Sequence, residues 1–145
     1  MKYKLTNETK LCYGKTLYRI KALKSFNDVS KGDLGGYVET ESNLSQTDDS
    51  WVYDNAAVFG DARVFDDAWV YDNAAVFGNA VVYGDAGVYG DARVSGNARV
   101  YGNAMVYGNA AVSGDAGVSG DARVSIGECT DKVINIINLC QYSIT

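Results

Sequence analysis

The chain contains no histidine. Imidazole is the side chain whose ordinary pKa lies closest to neutral pH, which makes it the usual general base and a common metal ligand. Without it, acid–base or metal-assisted chemistry at neutral pH would have to rest on carboxylates or cysteines. We therefore expect that the protein is not an enzyme and has no catalytic residue, no cofactor and no metal site.

Cysteine is scarce as well. The three cysteines are Cys12, Cys129 and Cys140, and no two of them have the Cys-x-x-Cys spacing. An odd number without that spacing is not typical of a disulfide framework or of a zinc site. We expect free thiols in a reducing compartment.

Long apolar runs are also missing. No stretch approaches the roughly 18 apolar residues that a membrane-spanning helix needs. The N-terminal residues 1–4 lack the apolar run of a signal peptide. We expect no membrane association and a cytoplasmic location.

What the chain does contain is a repeat. From Val52 to Val124 a valine occupies every sixth position, thirteen times in succession. The unit reads Ala-x-Val, then an aromatic residue or Ser, then Gly or Asp, then Asp or Asn. Residues two apart in a strand share one side, so Ala and Val face inward, while the Gly, Asp and Asn positions suit a tight corner. Each hexapeptide is therefore predicted to be one short strand and one corner, and such units bury their apolar side only by stacking.

The Ala-x-Val spacing and the Val-Tyr-Gly-Asn-Ala wording, as in residues 100–104, resemble the hexapeptide repeat of left-handed parallel β-helix proteins of the phage and prophage type. The resemblance implies an all-β solenoid in which three hexapeptides form one triangular coil. Proteins of this type carry transferase-like or polymer-forming descriptions. Acyltransferases of this fold are expected to use a histidine base, and this chain has none, so a degenerate acyltransferase relative is only an alternative.

With three hexapeptides per coil, the chain is predicted to form about five coils. The predicted inward aliphatic residues, coil by coil, are Val38/Leu44/Val52, Val58/Val64/Val70, Val76/Val82/Val88, Val94/Val100/Val106 and Val112/Val118/Val124. In the first coil, Gly36 and Ser42 are predicted in the small inward positions. Leu44 and Val52 are eight residues apart instead of six, so two extra residues within 46–49 are expected to form a bulged corner.

The domain organisation predicted from these patterns is a β cap and linker at 1–36, the hexapeptide β-helix at 37–127 and a capping strand within 128–145. Alternating residues on either side of Gly14 predict a hairpin in the cap. Residues 1–33 hold eight basic and three acidic groups, whereas residues 34–127 hold four arginines and thirteen acidic groups. Lysines on an exposed sheet edge deter pairing with other chains, and we expect no nucleic-acid binding, although an acidic rod that imitates DNA is an alternative.

Sorting the outward positions by face separates one face from the other two. This face carries both tryptophans and a column of tyrosines, and its candidate contact residues are Trp51, Tyr53, Trp69, Tyr71, Tyr89, Met105 and Tyr107. The six aromatic residues would present on the order of 1,000 Å² of apolar surface, more than monomers usually expose. We expect this face to mediate homotrimer formation, with Arg123 and Ser125 at its polar end.

The function predicted is that of a non-enzymatic structural or binding module of phage or prophage origin. It would act as a rigid homo-oligomeric scaffold or bind a host factor, in the host cytoplasm or the virion. The first alternative is a carbohydrate-binding rod that holds a polysaccharide on its aromatic column. A corner column of Asp67, Asp85, Asn103 and Asp121 could coordinate a hard cation, but the free exchange of Asp and Asn there is typical of turn residues.

Overall fold

The computed structural model describes residues 1–125 and the backbone of two further strands at 128–129 and 133–134. The chain is all-β: three sheets of stacked parallel strands wind into a solenoid of about five coils. A 3-10 turn at Glu41–Asn43 is the only helical segment among the described residues. The predicted fold class is thus confirmed as a parallel β-solenoid, and its left-handed sense is implied by the resemblance alone.

The N-terminal strands are β1 (Tyr3–Cys12), β2 (Lys15–Ala22) and β3 (Leu34–Val38). Each later strand is two residues long, and those up to Val124 end on the inward residue of their repeat. These strands are β4 (Trp51–Val52), β5 (Ala57–Val58), β6 (Arg63–Val64), β7 (Trp69–Val70), β8 (Ala75–Val76), β9 (Val81–Val82), β10 (Gly87–Val88), β11 (Arg93–Val94), β12 (Arg99–Val100), β13 (Met105–Val106), β14 (Ala111–Val112), β15 (Gly117–Val118), β16 (Arg123–Val124), β17 (Glu128–Cys129) and β18 (Val133–Ile134).

The strands stack into the three faces that the period predicts. Face one is the sheet β1-β2-β3-β5-β8-β11-β14-β17, face two is β18-β15-β12-β9-β6, and face three is β16-β13-β10-β7-β4. From β4 to β16, solenoid neighbours pair in parallel with a register of 18 residues, as where Val88 lies beside Val106. The sorting of outward positions by face is therefore confirmed.

Regular hydrogen bonds join each coil to the next. In β12 the Arg99 amide donates to the Ala116 carbonyl at 3.0 Å. At the preceding corner the Ala98 amide donates back across the turn to Ser95 at 3.2 Å, around Gly96 with φ +63°. A Cβ on Gly96 would lie 2.7 Å from the nitrogen of Gly114 in the next coil. This corner therefore requires glycine both for its left-handed backbone and for the close approach of the next coil.

The core is a column of small and β-branched side chains. Every alanine and valine in the two inward positions of each repeat, from Ala56 to Val124, is at most 1 % exposed. The interior is thus filled by methyl groups along the whole rod, which confirms the predicted assignment of inward and outward positions.

The first coil departs from the prediction at one position. Ser42 is exposed, and Asn43 is buried in its place. The Asn43 side-chain amide donates to the carbonyls of Ala62 at 2.8 Å and Gly60 at 3.1 Å, and its oxygen accepts from the Thr40 amide at 2.9 Å. The 3-10 turn therefore replaces one backbone rung with side-chain hydrogen bonds, which the period alone did not indicate.

The cap closes the top of this coil. Strands β1 and β2 form an antiparallel hairpin, and β2 pairs antiparallel with β3, which in turn pairs in parallel with β5. Strand β3 starts before the predicted boundary at residue 36 and joins the hairpin to face one. The hairpin thus extends the sheet of face one, and its apolar side chains at Tyr3, Ile20 and Ala22 belong to the main core.

Lys2 fastens the cap to the bulged corner. Its side chain is fully buried, and its Nζ donates to the carbonyls of Ser50 at 2.6 Å and Asp48 at 3.0 Å. Burial lowers the pKa of Lys2 to about 8, although the negative charge of Asp48, 3.6 Å from Nζ, acts in the opposite direction and raises it. Asp48 also accepts from the Ser50 hydroxyl at 2.6 Å and the Asp66 amide at 2.7 Å. The inserted corner is therefore one attachment point of the cap.

Tyr3 should make the cap sensitive to alkaline pH. Its hydroxyl lies 2.8 and 2.7 Å from the carbonyl oxygens of Glu41 and Leu44, and burial, followed by the charge of Glu41, raises its pKa above the ordinary 10.0. The folded state holds this proton more tightly, so the stability that it contributes is present below pH 10 and is lost as pH rises further. Above pH 10 we expect the free energy of unfolding to fall more steeply in wild type than in Tyr3→Phe, by about 1.4 kcal/mol per pH unit. Equal slopes in urea unfolding measured between pH 9 and 11 would contradict this expectation.

At the C-terminal end the backbone of β17 pairs in parallel with β14, and that of β18 pairs with β15. Two faces of the solenoid thus continue into residues 128–129 and 133–134. The remainder of the predicted capping segment 128–145, together with the side chains of Cys129 and Cys140, lies outside the described residues. Cys12 is a free, half-buried thiol.

Candidate binding face

Face three brings the predicted contact residues together. The register places Trp51 beside Trp69, Trp69 beside Gly87, and Gly87 beside Met105. The tyrosine ladder, which consists of Tyr53, Tyr71, Tyr89 and Tyr107, runs along the corner that follows these strands. All seven predicted residues therefore share one side of the solenoid, as two parallel columns.

The lower part of the tyrosine ladder is stacked. Ring centroids lie 4.7 Å apart between Tyr71 and Tyr89 and 5.0 Å apart between Tyr89 and Tyr107, with interplanar angles of 5° and 6°. Burial and the neighbouring phenols raise the pKa of Tyr71 and of Tyr89, so both rings are uncharged at neutral pH. Because stacked rings cover one another's faces, the ladder presents mainly ring edges and hydroxyl groups to the outside.

Trp51 corrects the expectation that both tryptophans are exposed. Its side chain is only 1 % exposed, because Tyr3 packs against it edge-on at 6.1 Å and Phe26 at 5.3 Å. Trp51 lies in the first coil, which the cap covers. It is therefore a core residue at the top of face three, and the open apolar surface is smaller than the sequence-based estimate.

Below the cap, face three keeps an apolar strip, formed by Trp69, Gly87 and Met105 together with Tyr71, Tyr89 and Tyr107. A Cβ on Gly87 would lie 3.0 Å from the Met105 sulfur and 3.2 Å from Cε3 of Trp69. Gly87 therefore provides the space over which the two large side chains approach each other. Trp69 and Met105 are both partly exposed, so the strip is open to contact.

The other two faces differ from this one. On face one the hairpin tip covers the aromatic residues, since Tyr13 lies 5.5 Å from Phe59 and 5.0 Å from Phe77. On face two the strand positions include the exposed Arg63 and Arg99. Face three thus combines apolar strand positions with an aromatic ladder that the cap leaves open.

Carboxylates at the corners accept hydrogen bonds from backbone amides of the next coil. Asp66 and Asp72 adopt left-handed conformations with φ of 62° and 59°. Their side chains accept from the amides of Gly84 at 3.1 Å and Gly90 at 3.2 Å in the next coil. Asp at these corners therefore links successive coils by hydrogen bonds.

In residues 1–125 no three His, Cys, Asp or Glu side chains come together as a metal site would require. In the column proposed for a hard cation, the Asn103 amide donates to Asp121 at 3.4 Å. In the same part of the chain, no helix is long and apolar enough to cross a membrane.

Sequence reasoning missed the contribution of the loop between β2 and β3. Asn27, with φ +47°, and Asp28 lie against the top of the tyrosine ladder, where the Tyr53 hydroxyl donates to Asp28 at 2.9 Å. Nothing in the repeat pattern indicates this contact, because the two residues are 25 positions apart and only one belongs to a repeat. The left-handed Asn27 is the one local signal, since Asn tolerates that conformation in turns.

Comparison with known proteins supports the same architecture. A family model described as the YdcK beta solenoid repeat matches residues 68–84, 86–100 and 98–114, which together cover less than half of the chain. No curated protein matches the sequence. The matched segments contain the open part of face three, so the chain is similar to YdcK beta solenoid repeats where its apolar strip lies, and it is a β-solenoid repeat protein.

Proposed function

We propose that the protein is a non-enzymatic scaffold that self-associates through face three, with a homotrimer as the expected assembly. The observation that carries the proposal is the open apolar strip around Trp69, Gly87 and Met105. The strip is rigid, because each of its strands is hydrogen-bonded to the coils above and below. A preorganised surface loses little conformational entropy when it is buried.

The strip is the right size for a contact. Because Trp51 is buried and the ladder rings stack on one another, the exposed apolar area of the strip is smaller than the sequence suggested. It falls from on the order of 1,000 Å² to several hundred Å². The largest apolar patch of a soluble protein is commonly of that size and is often functional. Further copies of the chain suit the surface because each would contribute the same uncharged strip.

Ring stacking disfavours the carbohydrate alternative along the ladder. A sugar packs on an exposed ring face, whereas the faces of Tyr71, Tyr89 and Tyr107 cover one another at 4.7–5.0 Å. Contacts made by ring edges and by Met105 fit another protein surface better. A phage or prophage source, and a place of action in the host cytoplasm or the virion, are part of this proposal on the resemblance of the repeat.

Self-association is testable with paired variants. Tyr89→Glu with Met105→Glu introduces two carboxylates into the strip, and we expect a folded monomer. The control is Val81→Glu with Tyr101→Glu, which makes the same kind of change at one strand position and one ladder position of face two and should leave the assembly unchanged. Sedimentation velocity at tens of micromolar reads out the mass. A monomeric wild type, or equal dissociation by both pairs, would refute the proposal.

A further inference from the structure

At the top edge of face three lies an open hollow of about 590 Å³. We call it the cap hollow, and its walls are Asn27, Asp28, Tyr53, Asp54, Trp69 and Tyr71. One wall is the loop between β2 and β3, and the others belong to the first two coils. The cap and the solenoid therefore both contribute to it.

The hollow exists because Tyr53 leaves the stack. Its ring meets that of Tyr71 at 81° and 6.2 Å, whereas the rings below lie within 6° of parallel. The hydroxyl of Tyr53 donates to Asp28 at 2.9 Å, and that bond turns the ring toward the cap. The turn opens a gap at the top of the ladder, beside the partly exposed Trp69.

The walls combine aromatic rings with negative charge. Asp28 and Asp54 are exposed carboxylates, and three aromatic rings lie around them. Two basic side chains reach the backbone of this corner: Lys10 donates to the Asn55 carbonyl at 2.7 Å, and Arg19 binds one residue earlier. Arg19 pairs with Glu8 at 3.1 Å and donates to the backbone carbonyl of Asp54 at 3.3 Å. Among the lining residues there is no basic side chain.

We propose that the cap hollow binds an organic cation, of the alkylammonium or guanidinium class. Aromatic faces attract such cations through the ring quadrupole, and the two carboxylates add direct charge attraction. A neutral sugar would use the rings but would gain nothing from two negative charges. The inference goes beyond the proposed scaffold function, and it requires that Trp69 and Tyr71, which also belong to the apolar strip, stay open on their cap side in the assembly.

The probe is tetramethylammonium chloride, titrated into the full-length protein at constant ionic strength against sodium chloride. Proton NMR of the probe reports stacking directly, because ring currents shift bound methyl protons upfield. We expect a saturable upfield shift with a Kd on the order of millimolar. The same titration with glucose should show no saturable shift.

Variants that neutralise one carboxylate at a time test whether the negative charge of the hollow contributes to cation binding. Asp28→Asn keeps an oxygen for Tyr53, and Asp54→Asn keeps a residue that tolerates the left-handed φ of 56°. We expect each to weaken binding about three- to fivefold. Asp91→Asn, at the same corner two coils below Asn55, is the matched control and should change the Kd by less than about twofold.

Three results would overturn the inference: no saturable shift in wild type, equal weakening by Asp91→Asn, or glucose binding tighter than the cation. Circular dichroism of each variant confirms that it is folded. None of these variants alters Tyr89 or Met105, which the self-association test changes. If the protein is monomeric and still binds the cation, the scaffold proposal fails and this inference stands.

Discussion

Val100→Asp is expected to unfold the protein at room temperature, whereas Arg99→Asp, one residue earlier in β12, should leave it folded. Val100 is fully buried, and Arg99 is exposed. An aspartate at position 100 would place a carboxylate among methyl groups with no partner, at a cost of several kcal/mol against a total stability of roughly 5–15 kcal/mol.

The pair is informative because the two positions differ only in which side of the strand they occupy. Arg99→Asp should change the free energy of unfolding by less than about 1 kcal/mol, as surface substitutions usually do. Circular dichroism and urea unfolding measure both variants. A cooperative transition for Val100→Asp within a few tenths of a molar urea of wild type would show that the inward assignment is wrong.

Gly36→Ala is the second substitution with a large expected effect, although the repeat suggests that it is harmless. Gly36 precedes Val38 by two, the position that alanine occupies in every later repeat from Ala56 onward. In the structure, a Cβ on Gly36 would lie 2.6 Å from the carbonyl oxygen of Ala56 and 2.6 Å from Cγ1 of Val52. The carbonyl oxygen accepts the Tyr37 amide at 2.9 Å, so neither strand shifts without losing that bond.

We expect Gly36→Ala to cost about 2–3 kcal/mol or more, as overpacked core sites do. Gly14→Ala is the control. It is the same substitution in the hairpin turn, where a Cβ meets nothing within 4 Å and the cost is limited to the strain of φ +77°, about 1 kcal/mol. Urea unfolding at neutral pH compares the two, and a smaller loss for Gly36→Ala than for Gly14→Ala would contradict the packing described here.

The candidate face shows how far the sequence predicts the site. Trp69, Tyr71 and Met105 were assigned to one face from their spacing alone, because a register of 18 residues follows from three hexapeptides per coil. The structure places all three on that face. The burial of Trp51 was missed because it depends on Tyr3 and Phe26, which belong to a segment without the repeat.

The cap hollow could not be predicted from the sequence for the same reason. Asp28 meets Tyr53 only because the loop between β2 and β3 returns to the solenoid, and no periodicity describes that path. Likewise, Tyr13 covers Phe59 through a contact between residues 46 positions apart, which depends on how the hairpin bends over face one.

The sequence by itself determined the coil, the corner and the side on which each residue of the repeat lies. These properties follow from a two-residue alternation and a six-residue period, both of which are local. The tertiary structure decided which part of face three is open, where Asn43 replaces Ser42, and why Gly36 is glycine. These outcomes arise from close packing between the cap and the first coil, where side chains distant in sequence compete for the same space and only three-dimensional fit selects among them.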